Sequence, residues 1–287
     1  MNAALPPVAT IDSRGWVGRL ELELGRVAGR SALQRRSHVG PLYVQRPFYP
    51  EGPDVVHLYL LHPPGGVVGG DRLDVSVRLA AGTSALLTTP AAQKWYRSAG
   101  ATSRLTTTLS VASGATLEWL PSETIAFDAA RARQTTRLEL EPGAAAVAWE
   151  INCWGRPASG IHFDRGEVTL GFEIFRGAEP LLIERAHVAG GSDVLREAWG
   201  YAARPVAGVL YAVPARPEGL VELAKQLREL PAQPGVSESV TALEELLVVR
   251  AFGDSSEAVR RTLVRAWTAL RPSVIGRPAT LPRIWAT

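Results

Sequence analysis

The 287-residue chain lacks several features that define common protein classes. Its single cysteine, Cys153, excludes an intramolecular disulfide and cannot build a thiolate metal site alone. No apolar run is long enough to span a bilayer, so we expect no membrane contact. The opening segment, MNAALPPVATIDSRGW, lacks a charged start followed by an apolar core. We therefore expect no secretion signal and a cytoplasmic protein.

Lysine is also scarce, with only Lys94 and Lys225 beside 29 arginines. The net charge of +3 and a pI near 9.3 raise the hypothesis of a nucleic-acid-binding protein. The arginines are scattered among 28 acidic residues, however, which is typical of a solvated surface or a protein interface. We expect no nucleic-acid partner, and salt-dependent binding to DNA or RNA is the test of that expectation.

The sequence has none of the short motifs that identify common catalytic sites. It contains no GxxxxGK[ST] phosphate loop, no GxSxG nucleophile elbow, and no HxH or HExxH pair among its five histidines. His57 and His62 have opposite parity on an extended strand, so they are not expected to converge on one metal ion. We predict neither a tight structural metal site nor a set of catalytic residues.

The most distinctive stretch is LLHPPGGVVGGDRL, which follows the apolar run VVHLYLL. Two prolines stiffen the chain there, and two glycine pairs allow backbone angles that other residues avoid. The pattern predicts a buried strand that enters a tight corner, flanked by His62 and Asp71. This corner is either purely structural or a place where bare backbone approaches another surface; its glycines are Gly65, Gly66, Gly69 and Gly70.

Four later segments share one form, an alternating strand, a glycine turn and a more apolar strand. They cover 74–90, 105–123, 134–152 and 167–188, with turns at Gly82, Gly114, Gly143 and Gly177. A hairpin of this kind cannot bury its apolar face alone, whereas stacked copies can build a continuous core. We predict a mainly β fold, a β-helix-like stack of hairpins in two sheets that covers 14–210.

The C-terminal part, 211–287, predicts a small α+β element packed on this body as one continuous structural unit. It contains an amphipathic helix after Pro217, a hairpin, and a second helix with Asp254 as its N-cap and Pro272 as its stop. Near the N-terminus, LQRRSHVG is interpreted as a basic turn. The tail PATLPRIWAT is apolar and is expected to dock on the rest of the protein.

Three loops, 91–100, 121–133 and 152–166, follow the outgoing strands of the repeats and should project from one side of the stack. They are rich in aromatic and charged residues, a composition that favours partner contacts. We expect the Trp, Tyr and Arg side chains of the first and third loops to be exposed and, together with the tail, to bind partners. These residues are Trp95, Tyr96, Arg97, Trp154, Arg156 and Trp285.

Acidic residues near the loops are the remaining candidates for chemistry. Glu118 and Glu150 sit in apolar strands, where a carboxylate either pairs with an arginine or lines an interior passage, because unpaired burial is costly. Oxygen ligands hold divalent cations weakly, which suits a carrier better than a store. A second hypothesis is an enzyme on a β-helical body that uses Asp71, Glu123 or Glu150 as acid and base.

Several long strings, in the same order, resemble the UreD family of urease accessory proteins, called UreH in some organisms. The resemblance runs from about Arg14 to the last residue. The strings that carry it are VQRPFYPEG, HLYLLHPPGGVVGGD, LLTTPAAQKWYRS, ATLEWLPSETIAF, CWGRP, EPLLIERAHV and LPRIWAT.

The resemblance implies a maturation scaffold, and no enzyme, with a two-sheet β-helix-like fold and a small helical part. Such a scaffold binds apo-urease and recruits UreF, which brings the GTPase UreG. The complex delivers nickel to the urease active site, where a lysine must be carbamylated, and a channel is the proposed route. No cofactor is expected to be tightly bound, and nickel only transiently. Our candidates for the nickel path are His62, Asp71, Glu118, Glu123 and Glu150.

Overall fold

The computed structural model describes residues 15–286, and strands dominate it. The strands are β1 (Val17–Val27), β2 (Arg30–Val39), β3 (Tyr43–Val44), β4 (Val55–Leu61), β5 (Arg72–Leu79), β6 (Ser84–Thr88), β7 (Gln93–Trp95), β8 (Ser103–Val111), β9 (Thr116–Trp119), β10 (Thr124–Ala126), β11 (Ala130–Leu140), β12 (Ala145–Trp154), β13 (Gly166–Arg176), β14 (Glu179–Ala189), β15 (Val206–Val213), β16 (Val236–Ala242) and β17 (Leu247–Gly253). The helices are α1 (Asp193–Arg196), α2 (Leu220–Arg228) and α3 (Ser256–Ile275), with 3₁₀ turns at Pro157–Ser159 and Arg283–Ala286. The secretion-signal expectation and Arg14 fall outside the described residues, as does Thr287.

The strands form two sheets that enclose a shared core. The first has seven strands in the order β14-β13-β11-β8-β5-β1-β2. The second has ten, in the order β16-β17-β15-β12-β9-β6-β4-β3, with β10 and β7 beside β12. We call the first the open sheet, because its outer face meets solvent, and the second the covered sheet, because α3 packs on its outer face. The predicted two-sheet, β-helix-like fold is confirmed.

Three of the four repeats are arches and not the predicted hairpins. At Gly82, Gly114 and Gly143 the chain leaves the open sheet and enters the covered sheet, so β5, β8 and β11 stack in parallel, as do β6, β9 and β12. Only β13 and β14 pair with each other, around Gly177. The incoming strands alternate, which suits a sheet with one wet face, whereas every residue of β12 is buried and needs cover on both sides.

The C-terminal strands extend the body because β15 pairs with β12 and with β17. The first predicted helix is confirmed as α2, and the predicted hairpin as β16 and β17. The apolar stripe of α3 covers the outer face of the covered sheet and contains Val259, Leu263, Trp267 and Leu270. Among residues 15–286, no helix is both long and apolar enough to cross a membrane.

Three local predictions are wrong. LQRRSHVG is not a turn but part of the edge strand β2, where exposed Arg35 and Arg36 tolerate an extended backbone and discourage further strand pairing. The N-cap of α3 is Ser255, whose hydroxyl accepts a hydrogen bond from the Ala258 amide at 3.1 Å. Pro272 does not stop this helix, which continues to Ile275 before Gly276 caps it with φ +79°.

Candidate interior passage and loop surface

A cavity of about 440 Å³ lies between the two sheets, and residues of the glycine corner form part of its wall. At one end of the sheets, the core row Val77, Leu109, Leu138 and Ile174 fills the interior with aliphatic side chains. Two residues earlier on β8 and β11, Thr107 and Thr136 take the inward positions. These smaller side chains do not fill the space between the two sheets, and the cavity occupies what is left.

Glu150 projects from β12 into this cavity and is 6% exposed. Its carboxylate accepts a hydrogen bond from the Thr136 hydroxyl at 2.6 Å. Burial raises the pKa of Glu150 to about 7, against opposing hydrogen bonds from Thr136 and Gln134 and with a further upward effect from Glu184. No cation contributes to the shift, so the group exchanges protons near neutral pH inside the protein.

A second cavity of about 150 Å³ shares Glu150 as a wall residue. It also contains Glu184, which accepts a hydrogen bond from the Tyr211 hydroxyl at 2.8 Å and contacts the Arg250 guanidinium. Glu150 therefore lies on a wall that the two cavities share. When Glu150 loses its proton, the second cavity has two ionised carboxylates in its wall, those of Glu150 and Glu184.

His62 and Asp71 have different roles at the glycine corner. His62 lines the first cavity, and its buried Nδ1 atom has no hydrogen-bond partner among residues 15–286. Burial lowers the pKa of His62, although Gln93 and Asp71 act in the opposite direction, so the imidazole is neutral at neutral pH. The Asp71 carboxylate already accepts hydrogen bonds from the Trp16 and Val68 amides, at 2.8 and 3.0 Å. Asp71 therefore holds the corner in place.

The structure places Glu118 away from Glu150, on the opposite face of the covered sheet. Arg271 of α3 binds its carboxylate at 2.8 Å, and the Trp267 indole donates to it at 2.6 Å. Arg271 also binds Glu51, which in turn contacts His57 at 2.7 Å. Glu118 is thus the carboxylate that pairs with arginine, and Glu150 is the one that lines the interior.

Glu123 lies at the edge of the interior and not within it. Its carboxylate is 3.9 Å from the Arg260 guanidinium, and its backbone carbonyl accepts a hydrogen bond from the backbone N–H of Gln93 at 2.9 Å. The neighbouring Ser122 contributes to the cavity wall. Of the five nickel-path candidates, His62 and Glu150 line the first cavity, whereas Asp71, Glu118 and Glu123 have other partners.

The three predicted loops do lie together, because Thr124 of β10 is in register with both Gln93 of β7 and Asn152 of β12. Arg97 and Arg156 are exposed there, and Arg156 sits over the Phe127 ring at 4.9 Å. The expected exposure of the two loop tryptophans is wrong. Trp95 is 1% exposed and Trp154 is 3% exposed, since both fill the core beneath the loops.

The glycine corner is fastened to the first of these loops. A Cβ atom on Gly66 would lie 2.2 Å from the half-buried Tyr96 ring, and one on Gly69 would lie 2.4 Å from the Ser98 hydroxyl. Gly65 and Gly70 adopt φ of +68° and +94°. The four glycines therefore let the corner pack closely against loop 91–100.

The tail docks as expected, through Trp285. Its ring stacks on Trp149 at 5.5 Å, and its indole N–H donates to the Thr88 hydroxyl at 2.9 Å. Trp285 is half-buried, so only part of the ring remains accessible to another protein.

Sequence reasoning missed Thr136, Gln134, Glu184, Tyr211 and Arg271. The inward parity of Gln134 and Thr136 on β11 was a readable signal, because these two polar residues interrupt an otherwise apolar row. Glu184 and Arg271 reach their partners only through contacts between distant segments, for which the sequence has no local signal.

Residues 15–286 contain no group of three or more His, Cys, Asp or Glu side chains arranged to hold a metal ion. Burial, together with the Glu123 charge, raises the pKa of the Cys153 thiol to about 12, so no thiolate is available at neutral pH. Any metal bound in the interior would therefore have few protein ligands.

The fold and the interior define a two-sheet β protein with a cavity between the sheets and no assembled metal site in its described part. The model of the UreD urease accessory protein family matches residues 17–286. Urease accessory proteins UreD from Dechloromonas aromatica, Alkalilimnicola ehrlichii and Pseudomonas putida are 41%, 46% and 44% identical to the chain. The alignments cover 100%, 98% and 95% of this chain, and 100%, 95% and 95% of the respective relatives. The chain belongs to the UreD urease accessory protein family, which supports a role in urease maturation.

Proposed function

We propose that this chain is a cytoplasmic scaffold of urease maturation that passes nickel between its two sheets toward apo-urease. Its partners in this proposal are apo-urease, UreF and, through UreF, UreG. The observation that carries the proposal is the position of Glu150 on a wall common to two interior cavities. Nickel is cargo in this scheme and is not retained as a cofactor.

The chemistry of the interior supports transfer better than storage. Among residues 15–286 the His62 Nδ1 atom has no hydrogen-bond partner, and the neutral imidazole offers a lone pair there in the tautomer protonated at Nε2. The Glu150 carboxyl lies on another part of the same cavity wall. An approaching divalent cation favours the deprotonated form of Glu150, whose pKa near 7 makes that proton easy to remove. Isolated nitrogen and oxygen ligands allow rapid exchange, as a carrier requires.

A bulky side chain in the cavity tests the passage. Thr107 faces the cavity and Thr108, its neighbour on β8, faces outward, so Thr107→Trp and Thr108→Trp are matched variants. Each would be co-expressed with urease and the other accessory proteins, and urease nickel content, urease activity and co-purifying partners would be measured. We expect Thr107→Trp to retain its partners but lower nickel content several-fold, whereas Thr108→Trp preserves both.

Unchanged nickel content with folded Thr107→Trp protein would refute the passage. The cavity has room for an indole, so overpacking is not expected to unfold the variant, and thermal unfolding checks this. If deletion of the whole chain left urease fully active at ordinary nickel levels, the scaffold proposal itself would fail.

The loop surface, formed by loops 91–100, 121–133 and 152–166, is the proposed site of partner contact. Its accessible members are Tyr96, Arg97 and Arg156, and the accessible part of Trp285 in the docked tail is proposed as a separate contact. Trp95 and Trp154 are left out because burial keeps their rings from a partner in this conformation. Combined Arg97→Ala and Arg156→Ala should weaken capture of UreF or apo-urease, and full retention of both would contradict this assignment.

A second candidate function is an enzyme that uses Glu150 as acid or base, favoured by its pKa of about 7 inside a cavity. Asp71 and Glu123 fit this role less well because Asp71 is hydrogen-bonded to two amides and Glu123 lies near Arg260. Turnover of a substrate by the purified chain, lost in Glu150→Gln, would favour the enzyme over the scaffold.

A further inference from the structure

Three arginines stand side by side on the outer face of the open sheet. Arg72 of β5 is in register with Arg104 of β8, and Arg104 is in register with Arg133 of β11. All three side chains are exposed. We call this row the arginine ladder. Neighbouring strands lie about 4.8 Å apart, so the ladder spans about 10 Å across the sheet.

The ladder is not neutralised within the described part of the chain, where none of its guanidinium groups forms an ion pair or a side-chain hydrogen bond. Several other arginines of the open sheet are paired with carboxylates. Arg131 contacts Glu167 at 2.5 Å, and Arg185 contacts Glu173 at 2.7 Å. Like charges directly opposite each other on neighbouring strands destabilise a sheet. The repulsion within the ladder therefore lowers the stability of the fold, so the three arginines are not there to stabilise it.

The position of the ladder also favours a contact role. Its members lie in the first four residues of β5, β8 and β11, immediately after the segments that form the glycine corner and the loop surface. Arg97, which is exposed on that loop surface, forms a backbone bridge with Ala130, three residues before Arg133. The ladder therefore continues the loop surface onto the sheet face.

We propose that the arginine ladder docks an acidic protein surface of another component of the urease maturation assembly. This inference rests on the proposed scaffold function and adds the chemistry of one partner surface. On a helix, the Cβ atoms of acidic residues at i and i+4 are about 6 Å apart. This distance is close to the spacing of about 4.8 Å between neighbouring arginines of the ladder. Each guanidinium can pair with a carboxylate through two parallel hydrogen bonds, which fixes orientation as well as affinity.

A protein fits this surface better than a nucleic acid does. The next outward row toward the opposite end of the strands contains Asp74, Thr106 and Thr135. A nucleic-acid backbone that ran from the ladder along β5 would meet Asp74, and no aromatic residue lies between the three arginines for a base to stack on. Discrete carboxylates on a protein surface can match the three arginines and avoid the acidic neighbour.

The test compares two triple variants with the same charge. The ladder variant carries Arg72→Gln, Arg104→Gln and Arg133→Gln, and the control carries Arg35→Gln, Arg131→Gln and Arg185→Gln at arginines that already have carboxylate partners. Each lowers the formal net charge from +3 to 0, since three positive charges are removed. Binding of the full-length chain to purified apo-urease and to purified UreF would be measured at two salt concentrations.

We expect the ladder variant to lose at least about tenfold in affinity for one of the two proteins, with a weaker salt dependence, and the control less than about threefold. Equal losses in both variants, or none in the ladder variant, would overturn the inference. The ladder variant should unfold at the same temperature as wild type or higher, because its repulsion is removed.

Two further outcomes separate the hypotheses. If the wild-type chain bound neither protein, the scaffold function would fail, and the ladder inference with it. If duplex RNA or DNA bound the wild type and not the ladder variant, while protein binding stayed equal in both, the ladder would be a nucleic-acid site and our assignment would be wrong.

Discussion

Arg271→Met is expected to be one of the most destabilising single substitutions in this protein. The Arg271 side chain is 0% exposed and lies 2.8 Å from both the Glu118 and Glu51 carboxylates, which are 2% and 5% exposed. It also donates to the carbonyl of Pro278 and so ties the tail to α3. Methionine preserves the length and apolar stem but leaves two buried carboxylates without their cation.

The expected loss is about 3–5 kcal/mol, the usual result of removing one partner from a buried ion pair. At about 2–4 °C per kcal/mol for a large domain, the melting temperature should fall by about 6–20 °C. Arg185→Met is the control, since its pair with Glu173 is 64% exposed on the arginine side and is worth at most about 1 kcal/mol. Adding Glu118→Gln and Glu51→Gln to Arg271→Met should recover more than half of the lost stability, because no unpaired carboxylate then remains buried.

Urea unfolding across pH is the assay that tests this reasoning. Burial acts to raise the pKa of Glu51, but hydrogen bonds from His57 and Arg271 outweigh it and lower the pKa. A lowered carboxyl pKa contributes stability that is present above the unfolded value of 4.5 and is lost as pH falls through the folded value. The gap between wild type and Arg271→Met should therefore narrow below about pH 4.5. A loss under about 1 kcal/mol at pH 7 would refute the role we assign to Arg271.

Two other substitutions test local features of the structure. Glu150→Gln should stabilise the protein by about 1–3 kcal/mol at pH 8 and by much less at pH 5, because burial raises the Glu150 pKa to about 7 and above that pH the folded protein has to bury an ionised carboxylate. Urea unfolding at both pH values measures this, and an equal effect at both would contradict it. Ser255→Ala should cost about 1 kcal/mol and Asp254→Ala markedly less, because only Ser255 caps α3; a larger loss in thermal unfolding for Asp254→Ala would reverse the assignment.

Much of the fold could be predicted from sequence periodicity. Alternation at β11 and the glycine turns every 30 residues or so indicated stacked strands in two sheets. Turn glycines alone do not distinguish a hairpin from an arch, since both reverse the chain. The difference lies in what covers the outgoing strand. For β12 that cover is α3, which lies more than 100 residues later in the chain.

In the candidate site, too, the sequence predicts some features and leaves others to contacts between distant segments. Glu118 and Glu150 are both single acids in apolar strands, and their sequence surroundings do not separate them. The register between β9 and β12 does, since it pairs Glu118 with Val147, whose side chain points toward α3, while Glu150 shares the inward face with Ala148. One acid therefore meets Arg271 and the other meets the cavity.

The sequence by itself determined the family, the mainly β character and the positions of most strands, because periodicity and long shared strings are properties of the chain order. Only the tertiary structure decided which arginines are neutralised, which tryptophans are buried and which carboxylate faces the interior. These depend on pairings between strands and helices far apart in sequence, and the free energy of a charge depends on what lies across from it. The arginine ladder exists only because parallel stacking places Arg72, Arg104 and Arg133 in register.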